Sequence, residues 1–272
     1  MKLYNLTVSK IKKIKNQDIT VAVYGLGKMG LPLAAVFANH GFKVIGVDIN
    51  KDTVEKINKG INPIIGEEGL DQLLKKLVKS KNFSATTDSI SAAKNSDVKI
   101  IIVPIFINEK NKPDMSIVTD VTKKIAKGIS KGDIVILEST APPGTTIDVV
   151  GSAIEKISGL ILNKDFSVAH CPERTSSGTA ISDIQGRLDP KIVGGSDKKT
   201  TEIITHLYKQ INKKGVISVN NTKVAEVIKV SEGLYRDVNI AFANNLYLIC
   251  KELGVDAGEV IAACNTDIYS HI

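Results

Sequence analysis

The feature that most constrains the fold of this 272-residue chain is the segment from Ile19 to Asp48. A β-rich run at 19–24 leads into the glycine turn GLGKMG at 25–30, and an apolar helical pattern follows. A second β-rich run, at 43–47, ends directly before the aspartate. This order of elements predicts a βαβ unit that binds a dinucleotide: a strand, a glycine-rich turn, a helix, a second strand and an acid.

Each glycine of the turn in this unit, and the aspartate that ends the unit, has a physical role in the prediction. Gly25 permits the tight turn, Gly27 lets the backbone approach a pyrophosphate, and Gly30 lets the helix pack close to the strand. The N terminus of the helix offers N–H groups and the positive end of its dipole to phosphates. Asp48 can accept hydrogen bonds from a ribose diol and would repel a 2′-phosphate. The predicted cofactor is therefore NAD rather than NADP.

Length and composition limit the classes of protein to which this chain can belong. No apolar run approaches the roughly 20 residues of a membrane span, and residues 1–18 lack the apolar stretch of a secretory signal. We therefore expect a cytoplasmic protein that does not bind membranes. The net charge of +7 comes almost wholly from lysines spread along the chain. Because aromatic residues are few, this favours a solvated surface over a nucleic-acid interface.

The three cysteines, Cys171, Cys250 and Cys264, are far apart in the sequence. Their spacing matches neither a metal site nor a disulfide framework. Each lies in or beside an apolar run, so we expect buried, inert thiols and no bound metal.

Strand and helix patterns alternate along most of the chain. They predict an α/β fold with a doubly wound, mostly parallel sheet of the Rossmann type over 19–210. Residues 1–18 form an N-terminal extension, expected to be a short helix or a mobile arm. Residues 211–272 are expected to form a helical central domain with one long helix at 222–253.

In open α/β sheets, ligands bind outside the carboxyl ends of the strands. The loops predicted at that edge are 25–30, 104–114, 139–146 and 171–190. In one of them, the hydroxyls of Ser139 and Thr140 could bond a ribose or a nicotinamide. An alternative is that this loop is only a turn that starts a helix, with Thr145 as its cap.

Charged residues supply two further candidate groups. Glu173 could orient a water or pair with a lysine, and Arg174 could bind an anionic oxygen; the alternative is a surface salt bridge. Lys229, Gly233 and Arg236 have helical spacing and share one face. There the lysine could stabilise charge on an alcohol being oxidised, and the arginine could anchor a phosphate or carboxylate. A solvated basic stripe is the alternative for this face.

Several strings together resemble the nucleotide-sugar dehydrogenases, which oxidise the C6 alcohol of a UDP- or GDP-linked hexose to the acid. They are GLGKMGLPLA, GVDIN, EEGLDQLL, VPIFINEKNKPD, ESTAPPGTT, AHCPER, IVGG and KVSEGLYRDVNIAFANNL. AHCPER and YRDVNIAFAN are most similar to the branch that acts on UDP-N-acetylhexosamines, with UDP-N-acetyl-D-mannosamine favoured. The resemblance implies two NAD-dependent hydride transfers. A cysteine thiolate captures the aldehyde, the second transfer forms a thioester, and water releases the uronate.

The resemblance also implies roles for individual residues. Lys229 matches the catalytic lysine of the family, and Glu173 matches a glutamate linked to water handling. Substrate contacts match Arg174, Thr175, Lys229 and Arg236. Cofactor contacts match Gly25, Gly27, Lys28, Met29, Gly30, Asp48 and Thr140. The resemblance further implies a homodimer built through the long helix and a UDP-sugar as substrate.

Three departures from the family pattern limit these expectations. Gly233 stands where the family has an asparagine that holds the developing oxyanion. Ile105 replaces a threonine that contacts the cofactor. The 272 residues contain no glycine-rich segment with the nucleophilic cysteine and no third, nucleotide-binding domain, and Cys264 lacks the glycine context to substitute.

We therefore expect a truncated chain that binds NAD(H) but has little or no turnover of UDP-sugars. Two alternatives stay open from the sequence. One is a β-hydroxyacid dehydrogenase, which also combines a GLGKMG-type turn with a lysine on a long helix. The other is a non-catalytic module that binds NAD and dimerises.

Overall fold

The computed structural model describes residues 2–7, 15–269 and 272. Its strands, in chain order, are β1 Thr20–Tyr24, β2 Lys43–Val47, β3 Phe83–Thr86, β4 Val98–Ile101, β5 Phe106–Ile107, β6 Pro113–Asp114, β7 Ile134–Leu137, β8 Ser167–His170, β9 Lys191–Gly195 and β10 Val216–Val219. Its α-helices are Gly30–Asn39, Lys51–Asn58, Leu70–Lys79, Ser89–Lys94, Ser116–Gly128, Ser152–Ser158, Ala180–Ile184, Lys198–Lys209, Thr222–Leu253 and Ala257–Cys264.

Eight of the strands form one sheet in the order β10-β9-β8-β7-β4-β1-β2-β3, and β5 pairs with β6 in a small hairpin. The six strands from β8 to β3 run parallel, as predicted for a doubly wound fold. The strand order reverses between β1 and its neighbour β4. This is the position at which such sheets bind ligands.

The last two strands of the sheet run in the opposite direction to the other six, which is compatible with the predicted, mostly parallel sheet. β9 pairs antiparallel with β8, and β10 runs parallel to β9. The connection at 171–190 stays at the carboxyl edge of β8, where Glu173 N donates to Glu138 O at 3.2 Å. It contains only the short helix Ala180–Ile184, so the chain enters β9 from the edge at which it left β8.

Apolar side chains cover both faces of the sheet. β4, β7 and β8 are buried along their whole length. This burial explains why β7, with the sequence IVIL, is a continuous apolar run. Phe37, Phe42 and Tyr208 pack edge to face on one side. The buried strands form the core of the domain, and the candidate site lies in the loops at the carboxyl edge of the sheet.

The N-terminal extension is packed against the sheet domain where it is described. Leu3–Asn5 forms a single 3-10 turn, and Tyr4 OH donates to Asp197 Oδ2 at 2.6 Å. This three-residue 3-10 helix agrees with the expectation of a short helix within residues 2–7, and the bond from Tyr4 to Asp197 does not fit the alternative of a mobile arm. For 8–14 that expectation lies outside the described residues.

The chain divides into two compact units, Met1–Val227 and Ile228–Ile272. The first contains the sheet, and the second contains most of the long helix together with Ala257–Cys264. Several large apolar side chains of the second unit are exposed, among them Leu234, Tyr235, Val238, Phe242, Leu248 and Leu253. Within the described part of the chain, no helix combines the length and the apolar character needed to cross a membrane.

Candidate cofactor and substrate site

The glycine turn after β1 contains three glycines with different surroundings. Gly25 has a φ of +98°, and a Cβ there would lie 2.5 Å from the carbonyl oxygen of Ile102. A Cβ at Gly30 would lie 1.8 Å from Gly25 O. A Cβ at Gly27 would meet nothing within 4 Å. The turn itself thus requires the first and third glycines, whereas the middle one leaves open backbone that a ligand can approach.

Asp48 is held in place at the end of β2 by two backbone N–H groups. Leu26 N donates to Asp48 Oδ2 at 2.9 Å, and Asn50 N donates to Oδ1 at 2.9 Å. The side chain is half-buried. Each carboxylate oxygen keeps acceptor capacity after these bonds, so the carboxylate can still accept both hydroxyls of a ribose diol.

A cavity of about 560 Å³ opens at the carboxyl ends of β1, β2 and β4. Its lining includes Gly27, Asp48, Ser89, Val103 and Ile117. Apolar walls with a few polar groups are typical of small-molecule sites of this size. The open glycine, the helix N terminus and the fixed carboxylate fit a dinucleotide that carries a free ribose diol.

A second cleft is lined by four residues of the predicted site: Glu173, predicted to be catalytic, and Met29, Arg174 and Thr175, predicted to contact cofactor or substrate. Thr175 donates to Glu173 Oε1 from both its N–H and its hydroxyl, and Thr175 Oγ1 lies 3.0 Å from Met29 Sδ. Arg174 Nη1 donates to Pro190 O at 3.1 Å. The structure therefore places Glu173, Arg174 and Thr175 beside the end of the glycine turn.

Arg174 also has the contact that the surface salt-bridge alternative predicts. Its Nη2 lies 3.7 Å from Asp189 Oδ1, and 49% of the Asp189 side chain is exposed. An ion pair this long and this exposed contributes little energy. The Arg174 guanidinium thus lies between the Pro190 carbonyl and the Asp189 carboxylate.

A buried ionic cluster lines part of this cleft, and sequence reasoning missed it. Lys191 Nζ donates to Glu138 Oε2 at 2.7 Å, and Tyr208 OH donates to the other carboxylate oxygen. Burial raises the pKa of Glu138, an effect that Lys191 opposes. Burial also raises the pKa of the Cys171 thiol. The sequence signal for the Glu138–Lys191 pair was a glutamate at the end of one apolar strand and a lysine at the start of another.

Glu67 is a second residue that the sequence did not single out. Its buried carboxylate accepts hydrogen bonds from Gly178 N and Ile181 N, each at 3.0 Å. It thereby joins the loop at 61–69 to the loop that carries the residues of the second cleft. The signal was its place in the string EEG, three residues before the helix that begins at Leu70.

The loop after β7 is anchored next to the cavity. Ser139 Oγ donates to Val103 O at 2.6 Å and accepts from Val103 N at 3.0 Å. Thr140 follows and is exposed. Thr145 occupies the N-cap position of the next helix, but its side chain does not cap it, because the hydroxyl donates to Pro142 O at 2.7 Å. The side chain of Glu226 accepts from the N–H groups of this helix start instead.

The remaining candidate residues lie elsewhere in the chain. Lys28 is exposed in the glycine turn. Lys229 and Arg236 lie on the long helix within the second compact unit, half-buried and exposed respectively. A Cβ at Gly233 meets nothing within 4 Å, so the backbone there has room for the asparagine of the family pattern. Cys171 and Cys250 are buried, as predicted, and Cys264 is half-buried.

The fold and the cavity define the dinucleotide-binding domain of a dehydrogenase. Residues 19–212 match the NAD-binding domain of the UDP-glucose/GDP-mannose dehydrogenase family, and residues 223–271 match its central domain. The chain belongs to this family. The predicted fold class and the predicted cofactor, NAD, are confirmed.

Individual relatives place the chain within the family. It is 39% identical over 257 residues to a UDP-N-acetyl-D-mannosamine dehydrogenase from Campylobacter jejuni, a match that covers 92% of this chain and 61% of the relative. The structure of a UDP-D-ManNAc dehydrogenase from Pyrococcus horikoshii matches with a TM-score of 0.88 and 35% identity, covering 93% of this chain and 59% of the other. A ternary complex of GDP-mannose dehydrogenase from Pseudomonas aeruginosa matches with a TM-score of 0.84 and 31% identity, covering 91% and 56%. The chain thus spans between 56% and 61% of the length of these relatives.

Proposed function

We propose that this chain carries the cofactor-binding and central parts of an NAD-dependent nucleotide-sugar 6-dehydrogenase. The substrate is a UDP-N-acetylhexosamine, with UDP-N-acetyl-D-mannosamine favoured, and the product is the uronate. The observation that carries this proposal is the position of Glu173, Arg174 and Thr175 beside the open glycine turn. The names of the relatives support the substrate class, and family membership favours it over a β-hydroxyacid.

The residues of the site have separate roles in this proposal. When bound, NAD accepts a hydride from the alcohol carbon. Glu173, held by Thr175, orients the water that hydrolyses the thioester and releases the uronate. Arg174 presents a fixed guanidinium to an oxygen of the substrate. On the long helix, Lys229 stabilises charge on the C6 oxygen, and Arg236 anchors an anionic group of the substrate.

The cysteines decide what the 272-residue chain does by itself. The thioester route needs an accessible thiolate. Cys171 and Cys250 are buried, and burial raises the pKa of Cys171. Cys264 is half-buried at the end of a helix and has no glycine neighbours. We therefore expect this chain to hold NAD(H) without forming the uronate.

The purified 272-residue chain should bind NADH saturably in a fluorescence titration. NADPH should bind about tenfold more weakly, because its 2′-phosphate would lie against the Asp48 carboxylate. With NAD⁺ and UDP-N-acetyl-D-mannosamine, mass spectrometry should detect no uronate. Uronate formation would disprove the inactivity of this chain, and failure to bind NADH would disprove the proposal as a whole.

The variant Asp48→Asn provides the matched control for that titration. It keeps the shape of the side chain but removes its charge, so the preference for NADH over NADPH should shrink.

Small 3-hydroxy acids should be neither bound nor oxidised by the wild-type chain. Their NAD-dependent oxidation would favour the β-hydroxyacid alternative instead.

The long helix is also the proposed dimer interface. Leu234, Val238 and Phe242 have helical spacing and are 63%, 59% and 53% exposed, and such contiguous apolar surface marks interaction sites. The chain should be a dimer in light scattering, and Leu234→Asp should make it a monomer. Glu252→Gln, an exposed change on the same helix, should leave the dimer intact. A wild-type chain that is monomeric at all concentrations would contradict this interface.

The cytoplasmic location of the protein stays a prediction from the sequence.

A further inference from the structure

We propose that Glu226 is a positioning residue for the nicotinamide end of the cofactor, acting through the loop that carries Thr140. This inference rests on the proposed binding of NAD. Glu226 lies in the first turns of the long helix and is 0% exposed. It accepts hydrogen bonds from Gly144 N at 2.6 Å, from Thr146 N at 2.8 Å and from Thr146 Oγ1 at 2.6 Å. One carboxylate therefore fixes the carboxyl-terminal end of this loop.

The position of this carboxylate follows from the needs of a helix start. The π-helical segment Thr146–Gly151 begins here, and the first N–H groups of a helix have no partner within it. A negatively charged acceptor is favourable at this end of the helix dipole. Since the side chain of Thr145, the N-cap residue, makes no capping hydrogen bond, Glu226 supplies the acceptors from a distant part of the sequence.

The other end of the loop is fixed as well. Ser139 is bonded twice to Val103, a residue of the cavity lining. Between the two anchors lie Thr140, the buried Ala141 and two prolines, whose rings restrict the backbone. Thr140 is thus held from both sides, and a change at one anchor must shift it.

The anchor at Glu226 is itself firmly seated on the sheet. Ala225 is fully buried. A Cβ at Gly194 of β9 would lie 2.3 Å from Asn221 O and 3.0 Å from Ala225 Cβ. The start of the long helix therefore packs directly on β9, and Glu226 transmits that fixed position to the loop after β7.

The position of the loop in the sheet indicates which half of the cofactor it meets. Asp48 ends β2, on one side of β1, whereas Thr140 follows β7, on the other side beyond β4. A dinucleotide lies across the strand-order reversal, with one mononucleotide over each half of the sheet. The adenosine half belongs at Asp48, so the loop held by Glu226 faces the nicotinamide half.

The test compares NADH with ADP-ribose, which has the same adenosine and pyrophosphate but no nicotinamide. In Glu226→Gln, the amide cannot accept all three hydrogen bonds, so the loop should shift. We expect NADH to bind about tenfold more weakly, as for the loss of one charge-assisted hydrogen bond, and ADP-ribose to bind within about twofold of wild type. Glu252→Gln should change neither affinity.

A second variant keeps the test decisive if Glu226→Gln does not fold. Thr146→Val removes one donor to the carboxylate and preserves the shape of the side chain, so it should show a smaller selective loss of NADH binding. Equal weakening of both ligands, or no weakening of either, would overturn the positioning role. If the wild-type chain bound neither ligand, the proposed function would fail instead, which separates the two outcomes.

Discussion

Replacing Gly27 by alanine should weaken NADH binding about a hundredfold, which corresponds to about 2.7 kcal/mol of binding free energy. A Cβ at this position meets no protein atom within 4 Å, so the fold should tolerate it. The methyl group would instead occupy the surface that the pyrophosphate must approach closely. Fluorescence titration with NADH and a thermal unfolding curve of the same variant test both parts of this expectation.

Gly30→Ala is the matched control with the opposite expected outcome. Its Cβ would lie 1.8 Å from Gly25 O, and such overpacking typically costs about 1–3 kcal/mol or more. This variant should lose stability as well as NADH binding. If Gly27→Ala lowered stability to the same extent, the open backbone at that glycine would have a structural role and not a ligand-binding one.

Replacing Lys191 by methionine should destabilise the protein by about 3 kcal/mol or more, because it leaves a buried charge without its partner. The Glu138 carboxylate is 1% exposed and depends on this lysine, at 2.7 Å, and on the Tyr208 hydroxyl. Urea unfolding at pH 7 measures the loss. Lys59→Met removes an exposed pair at 3.9 Å and should change stability by less than about 1 kcal/mol.

The effect of Lys191→Met should depend on pH in a defined direction. Burial already raises the pKa of Glu138 above its ordinary value of 4.5, and removal of the lysine should raise it further. A raised native pKa gives stability that is present below about pH 4.5 and is lost as pH rises through the native value. The variant should therefore be closest to wild type in acid and furthest from it near neutrality.

The double variant Lys191→Met with Glu138→Gln separates charge from packing. With the buried charge removed, much of the lost stability should return. A double variant as unstable as Lys191→Met would show that the loss comes from packing of the lysine stem rather than from the unpaired carboxylate.

Local patterns predicted most of the sheet. β2 begins and ends at the predicted residues, Lys43 and Val47, and the long helix has its predicted bounds, Thr222–Leu253. Continuous apolar runs and glycine or proline boundaries are properties of neighbouring residues, so they can be read without knowing the fold. The reversed direction of β9 and β10 was not predicted, because strand direction depends on where a connection runs in space.

The sequence by itself determined the cofactor unit, because its turn, helix and acid lie within 30 residues and each has a steric or electrostatic requirement that only a few residue types meet. Tertiary structure alone decided which distant groups support that unit. The pairing of Glu138 with Lys191 and the capping of a helix start by Glu226 join residues that are more than 50 positions apart. The physical reason is that burial turns a charged side chain into a group that must find a partner, and only the folded chain shows which partner lies within reach.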